Sequence, residues 1–454
     1  MEPGARTTED LAGFWSPTET EREKTVLRGI LATHSWHYAR NTAYRNVVAA
    51  RGVGPRAEAA DLPRLLRPTS QTFKSYIDLL GTPFPQDEAR GFGEWLIDQL
   101  SVDLPADRLR RLGSSYRSLE AMLQAIEYLF SDYDLELLTS SGTSGRATII
   151  ARDAKSTDLN VESFYLSFQR YLGMKADHRA IFMMPKRTRI AMARMARFSV
   201  RRVGLTSDRV HFAIPFPAHP DQVRIRAGRA FRPGRRGFVE RRVWHPAINT
   251  IQARYVDPRA VKVALKLLDR AAARGEKVLL FGSPTQLHGV ALALIRANRS
   301  VALAPGSLLG TGGGMKESYG LSPDEIRRDL TRVFRPADGG ALPLRDVYGM
   351  AEANWAAMQC SAGNYHIPPW VHAVTLDDDG EIRVGDRTTG LLAFFDPFGS
   401  GDLFPGFFRT ADQVTLAAGR AETLCPCGDP GAYLQRDSIQ RVDLLGEAGC
   451  AAQV

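Results

Sequence analysis

The sequence predicts an α/β protein with mixed sheets and flanking helices, fronted by a mostly helical N-terminal segment. Three observations predict it. Residues 18–50 and 116–130 carry apolar side chains at three- and four-residue spacing with charges between them, as in Leu119, Met122, Leu123, Ile126 and Leu129. From about Leu135 the texture changes to short apolar runs, bounded by glycine and proline, that alternate with helical patterns. The 40 glycines and 26 prolines are spread along all 454 residues, which suits a loop-rich enzyme better than a helical bundle.

Residues 52–68 and 81–93 read as connections between the N-terminal helices. Residues 135–138, 181–184, 210–215 and 278–281 are the strand candidates, and residues 258–274 and 285–298 carry helical patterns. That alternation implies an at least partly parallel sheet. Residues 224–242 are rich in arginine with interspersed glycine and read as a solvated loop or long hairpin, with docking of an acidic partner or carrier phosphates as the alternative. Asp377-Asp378-Asp379-Gly380 between apolar flanks predicts a hairpin turn, and residues 390–417 add strand-like runs. The chain thus divides into a helical segment (1–134) packing on an α/β core (135–420), followed by a short cysteine-containing tail (421–454).

A net charge of +9 is modest for this length and suits an anionic ligand such as a nucleotide. No base-reading module accompanies it, so nucleic acid is not an expected partner. The N-terminus opens with acids and no apolar stretch, and no segment has the unbroken apolar length that crosses a bilayer. The expectation is a cytoplasmic protein with reduced thiols.

Four motifs carry chemistry. Thr139-Ser140-Ser141-Gly142-Thr143-Ser144-Gly145 follows a strand candidate. Its glycines let the backbone turn N–H groups inward and its hydroxyls add donors, which suits a polyphosphate as well as a plain Ser/Gly turn. Thr311-Gly312-Gly313-Gly314-Met315-Lys316 follows an apolar stretch. Three glycines in a row are justified where a flat ligand lies on bare backbone, with Lys316 reaching a phosphate or carboxylate; a flexible loop is the bland alternative. Tyr348-Gly349-Met350-Ala351-Glu352 offers a ring to stack on a purine and a carboxylate to hold Mg²⁺. In Phe408-Arg409-Thr410-Ala411-Asp412 the aspartate is placed to accept ribose hydroxyls.

In this order the four motifs resemble the ANL adenylate-forming superfamily, over roughly residues 135–441. Within it, Gly312-Gly313-Gly314-Met315-Lys316, Leu62-Pro63 with Phe73-Lys74, and Cys425-Pro426-Cys427-Gly428 followed by Gly449-Cys450 look most like the LuxE acyl-protein synthetase family, with phenylacetate-CoA-ligase-like enzymes second. The resemblance implies ATP-dependent activation of a fatty or aryl carboxylic acid to an acyl adenylate, with Mg²⁺, then acyl transfer to a thiol. It implies nucleotide contacts from Ser140, Ser141, Gly142, Thr143, Ser144, Gly145, Gly312, Gly313, Gly314, Met315, Tyr348, Gly349, Met350, Asp412 and Arg441. Glu352 is the implied metal ligand, Lys316 a catalytic cation and Cys450 the acyl-carrying thiol. Residues 183–185, 212–216 and 282–285 are expected around the acyl group.

The sequence also departs from the superfamily pattern. Arg146-Ala147-Thr148 stands where the loop usually continues to Pro-Lys, Ala351 where a threonine is common, and Ala411 where a glycine is. Gln440-Arg441 resembles the Gly-Arg before a mobile C-terminal domain, and the short stretch after it implies that this lid is absent or much shortened. The catalytic cation then falls to Lys316 or a partner subunit. A ligase accepting CoA or an amine is one alternative, and a non-catalytic nucleotide-binding scaffold is another. Cys425-x-Cys427 lacks a second pair and no histidine follows His372. Zinc is therefore disfavoured, and these two cysteines read as residues of an ordinary turn.

Overall fold

In the computed structural model, which describes residues 8–16, 18–140, 147–228, 230–314, 319–399 and 401–442, the N-terminal periodicity becomes the helices Glu19–Arg40, Thr42–Ala50, Ala89–Gln99 and Leu119–Leu129. Thr18 opens the first with a reciprocal capping box to Glu21. Asn41 divides residues 18–50 in two: its backbone is extended and its side chain accepts the Tyr44 N–H at 2.8 Å, capping the next helix. The stretch 81–93, expected as a connection, instead holds the start of Ala89–Gln99. Glycine marks close packing there, because a Cβ on Gly93 would lie 2.6 Å from Leu109 Cδ2.

A mixed sheet of 13 strands dominates the fold. Val210–Ile214, Arg179–Pro185, Val278–Gly282, Leu308–Gly312 and Leu344–Gly349 lie side by side in parallel. From Leu344–Gly349 the pairing turns antiparallel, through Ala356–Gln359, Tyr365–His366, Tyr433–Leu434, Gly406–Ala417, Arg387–Asp396 and His372–Leu376. Leu344–Gly349 is thus the seam between two halves, and Tyr348 sits on it.

The parallel half is built from strand–helix–strand units, with Ala191–Arg202, Pro284–Arg296 and Pro323–Val333 among the crossing helices. Strand alternation sorts its side chains. Ile181, Met183, Leu280 and Leu309 join the core under Asp257–Ala273 and Pro284–Arg296. Ala180, Phe182, Met184, Leu279, Phe281 and Leu308 join the opposite core. The N-terminal helices share a third core with the antiparallel strands, where Phe394, Phe395, Phe407 and Phe408 are fully buried. Arg67 and Pro68 extend that half by pairing in parallel with Phe408 and Arg409, and Arg67 Nη2 donates to the Pro405 carbonyl at 3.2 Å.

The Asp377–Gly380 turn forms as the sequence predicts: Gly380 N–H donates to the Asp377 carbonyl at 3.2 Å and Gly380 takes φ +86°. The arginine-rich stretch 224–242 does not form a loop or hairpin. It forms the helices Pro220–Ala227 and Gly234–Val239, the second continuing into the π-helical turn Glu240–Trp244. Arg224 meets Glu240 at 2.8 Å, so part of the positive charge is neutralised within the fold. Gly237 serves contact rather than turning, since a Cβ there would overlap the Arg232 carbonyl. Among the described residues, no helix is long and apolar enough to cross a membrane.

Candidate active site

The Ser/Thr/Gly run begins at the end of one strand of a β-hairpin. Glu136–Thr139 pairs antiparallel with Ile149–Arg152. At the base of the tip, Ser140 N–H donates to the Thr148 carbonyl and Thr148 N–H donates to Ser140 Oγ, both at 3.0 Å. Ser141, Gly142, Thr143, Ser144 and Gly145 lie outside the described residues.

Ser140 and Thr148 open onto a cavity that also receives Tyr348, Gly349, Met350, Glu352, Asp412 and Arg441. The seam strand delivers Tyr348 and Gly349, and Glu352 follows it just past its end. Asp412 and Arg441 face each other across the antiparallel pair of Gly406–Ala417 with Gln440–Arg441. The Tyr348 hydroxyl donates to Asp412 Oδ2 at 2.7 Å. Burial, reinforced by the Asp412 charge, pushes the Tyr348 phenol well above its ordinary range, so it stays a proton donor. Asp412 is further set by its N–H, which donates to Thr410 Oγ1 at 3.0 Å, while Thr410 Oγ1 donates to the Leu392 carbonyl at 2.9 Å.

Glu352 Oε1 accepts the Thr148 hydroxyl at 2.8 Å, joining the hairpin to the end of the seam strand. Arg152, buried in the same cavity, donates to the Ala351 carbonyl at 3.2 Å. Burial lowers its guanidinium to about 10, which leaves it cationic at neutral pH. Lys74 also lines the cavity, and its ammonium has no ion-pair or hydrogen-bond partner among the described residues. Sequence reasoning assigned a role to none of Lys74, Thr148 and Arg152. Phe73-Lys74 stood out only as a family mark, and Arg152 lies in an apolar strand with no local signal.

Packing within the fold accounts for part of the glycine-rich segment. Gly312 closes the buried strand Leu308–Gly312, where a Cβ would come 3.3 Å from Met192 Sδ and 3.4 Å from Phe281 Cζ. At Gly310 it would come 2.4 Å from Phe281 Cδ2. Contact with these side chains therefore requires small residues in this strand. Gly313 and Gly314 take φ +92° and +68°, turning the chain away from the strand end. Met315 and Lys316 lie outside the described residues.

Cys450 lies outside them as well. Cys425 and Cys427, read as turn cysteines without companions, instead stand beside Cys360 and His366, far away in sequence. A further cavity, of about 1500 Å³, is lined by Met183, Pro185, Ile214, Phe216 and Thr285 among others, drawn from each of the three segments expected around an acyl group.

A mixed sheet with a cavity at the end of its seam strand defines a class of fold shared with acyl-CoA ligases. Two solved structures of 2-hydroxyisobutyryl-CoA ligase show the likeness. Its complex with 2-HIB-AMP and CoA in the thioesterification state gives a TM-score of 0.55 at 12% identity, covering 94% of this chain and 69% of that one. Its open conformation gives 0.53 at 12% identity, covering 91% and 68%. At such identity the likeness is one of fold. The sequence is more specific: residues 255–454 match the family described as acyl-protein synthetase, LuxE. The long-chain-fatty-acid–luciferin-component ligase of Aliivibrio fischeri is 28% identical over 145 residues, which span 31% of this chain and 35% of that protein. The chain therefore aligns with about a third of that relative's length.

Proposed function

We propose that the chain activates a carboxylic acid with ATP and passes the acyl group to a thiol. The observation that carries this reading is the convergence of Ser140, Thr148, Tyr348, Glu352, Asp412 and Arg441 on one cavity. In the first step a carboxylate oxygen of the acid attacks the α-phosphorus, the bond to the bridging oxygen breaks, and pyrophosphate leaves. In the second, a thiolate attacks the acyl carbon, the single bond from that carbon to the phosphate oxygen breaks, and AMP leaves with its electron pair. Both steps need positioning and charge neutralisation more than proton transfer.

Asp412, oriented by Tyr348, holds the ribose hydroxyls, and the Tyr348 ring frames adenine beside Gly312–Gly314. Ser140–Gly145 are the proposed phosphate contacts, Met315 belongs with the glycine-rich adenine segment, and Gly349 and Met350 line the approach. Arg441 faces the nucleotide from the opposite strand. Glu352 and the Thr148 hydroxyl are hard oxygen donors, which suits Mg²⁺. Bound there, the ion supplies charge neutralisation on the phosphate oxygens. Lys74 and Arg152 are cations of the cavity besides Arg441, and they share with Lys316 the task of stabilising the transferred phosphoryl group.

The 1500 Å³ cavity, with its apolar walls at Met183, Pro185, Ile214 and Phe216, supports a fatty acid as substrate. Cys450 is the proposed acyl carrier, with CoA or an amine as competing acceptors. ATP–pyrophosphate exchange across fatty, aromatic and amino acids tests the first step. Exchange with a long-chain fatty acid is expected, and absence of exchange with every acid overturns the proposal.

A further inference from the structure

The strand Ala356–Gln359 ends in Cys360, turns, and returns as Tyr365–His366. The long strand Gly406–Ala417 is followed by a short 3-10 turn that leads to Cys425-Pro426-Cys427-Gly428, and the chain then returns as Tyr433–Leu434 beside Tyr365–His366. This register brings four ligand atoms together, the Sγ atoms of Cys360, Cys425 and Cys427 and a ring nitrogen of His366, all within 4.8 Å of one another. Cys360 Sγ and Cys425 Sγ are 3.7 Å apart, and Cys427 Sγ and His366 Nε2 are 3.3 Å apart. Cys360, Cys425 and His366 are buried and Cys427 is half-buried.

The geometry points to a Zn²⁺ ion held by Cys360, His366, Cys425 and Cys427 as a closed structural site. Tetrahedral zinc with Zn–S of about 2.3 Å and Zn–N of about 2.0 Å sets S···S and S···N edges of roughly 3.8 and 3.5 Å, close to the two separations in this cluster. A disulfide is the other use of paired thiols, but it needs sulfurs about 2.05 Å apart and would leave the third thiol and the imidazole without a role. Binding is balanced without an oxidant: three thiols lose their protons to solvent, His366 donates its Nε2 lone pair, and no electron moves.

The surroundings are those of a metal site. Asn364 Nδ2 donates to Cys425 Sγ at 3.4 Å. Backbone N–H groups of Ala362 and Asn364 point to the Cys360 sulfur, and that of Asp429 to the Cys427 sulfur, giving donors to thiolates. The other His366 nitrogen, Nδ1, lies 3.8 Å from Asp429 Oδ1. Asp429 is itself fixed by Arg170 Nε at 2.6 Å and the Tyr171 hydroxyl at 3.0 Å, and the Tyr171 ring stacks on His366 with centroids 4.9 Å apart. A buried carboxylate behind the ligating imidazole orients the ring and strengthens the ligand. With four protein ligands no position is open for substrate. The ion would clip the loop after Gly406–Ala417 onto the Cys360–His366 hairpin and set the path by which the chain reaches Arg441.

Metal content is measured without substrate, so the outcome is independent of the proposed ligase activity. The untagged full chain, purified without chelator, is expected to carry about one zinc per molecule by elemental mass spectrometry. Cys360→Ser, Cys425→Ser and Cys427→Ser are expected to lose most of it, while Cys450→Ser keeps it. Because a cysteine variant can misfold, the wild-type chain is also stripped and refilled with Co²⁺, which should give thiolate charge-transfer bands and the intense visible bands of tetrahedral cobalt. Wild-type chain purified without metal and failing to take up zinc or cobalt overturns the inference. So does a Cys360–Cys425 disulfide found by peptide mapping, or octahedral cobalt absorption.

Discussion

Tyr348 and Asp412, on strands separated by three others in the sheet, meet through a phenol–carboxylate hydrogen bond of 2.7 Å. The bond ties the seam of the sheet to its antiparallel half at the point where a ribose is proposed to bind. A hydrogen bond to a charged group is worth about 1.5–3 kcal/mol. Tyr348→Phe should therefore raise the KM for ATP in the exchange assay by roughly tenfold to a hundredfold, with a smaller change in kcat. An unchanged KM would remove Tyr348 from the nucleotide site.

Thr148 donates to Glu352 at 2.8 Å, and the pair is proposed to hold Mg²⁺. Glu352→Gln keeps the shape and removes the charge. Its exchange rate should fall at least about a hundredfold at low Mg²⁺, in line with the loss of a charge-stabilising contact at the reacting phosphate, and recover in part as Mg²⁺ is raised. Thr148→Val should show the same metal dependence in milder form. A fall in rate that no magnesium concentration alters would assign Glu352 a structural role instead.

Lys74 reaches the cavity with no ion-pair partner among the described residues. Lys74→Met should slow adenylation by about two orders of magnitude if it neutralises the transferred phosphoryl group, and Lys316→Met should do so if that lysine does. Single-turnover adenylate formation in both variants apportions the role. Full activity in both would move the catalytic cation to Arg152, Arg441 or a partner chain.

Cys450→Ala should keep ATP–pyrophosphate exchange and lose covalent labelling of the chain by radioactive fatty acid. Labelling that survives the substitution, or resists neutral hydroxylamine, would show that Cys450 is not the thioester carrier.

His37 is fully buried, and its Nδ1 lies 2.6 Å from Ser101 Oγ. Burial, followed by the neighbouring Arg67, depresses its pKa well below the ordinary imidazole value, so the folded state binds fewer protons than the unfolded state. The resulting stability is present above an unfolded pKa of about 6.5 and is lost as pH falls below it. Urea midpoints should therefore drop between pH 7 and 5, and His37→Gln should show a shallower drop. Equal slopes in the two proteins would assign the acid sensitivity to other groups.

Part of the parallel half was legible because Arg179–Pro185, Val210–Ile214 and Val278–Gly282 are short, largely apolar runs each followed by a helix, the last of them capped by Ser283. The four motifs stood out because each is contiguous in sequence. What escaped is what depends on register between distant segments. Cys360 and His366 lie more than fifty residues before Cys425, and only the pairing of Tyr365–His366 with Tyr433–Leu434 brings them to it. Lys74 and Arg152 enter the cavity by the same kind of tertiary accident. The arginine-rich stretch misled because its glycines suggested turns, whereas Gly237 is a packing residue inside a helix.

The parallel pairing of Arg67 with Phe408 has a bearing on synthesis. Arg67 and its acceptor, the Pro405 carbonyl, are 338 residues apart. At ribosomal speeds of about 5–20 residues per second, tens of seconds separate their emergence. Through that interval Tyr44, Phe73, Tyr76 and Trp95 have helices to sit on but lack the strands that cover them in the finished core. The nascent chain thus carries a sticky aromatic surface until nearly all of the chain has been translated, which makes it a natural client for holding chaperones.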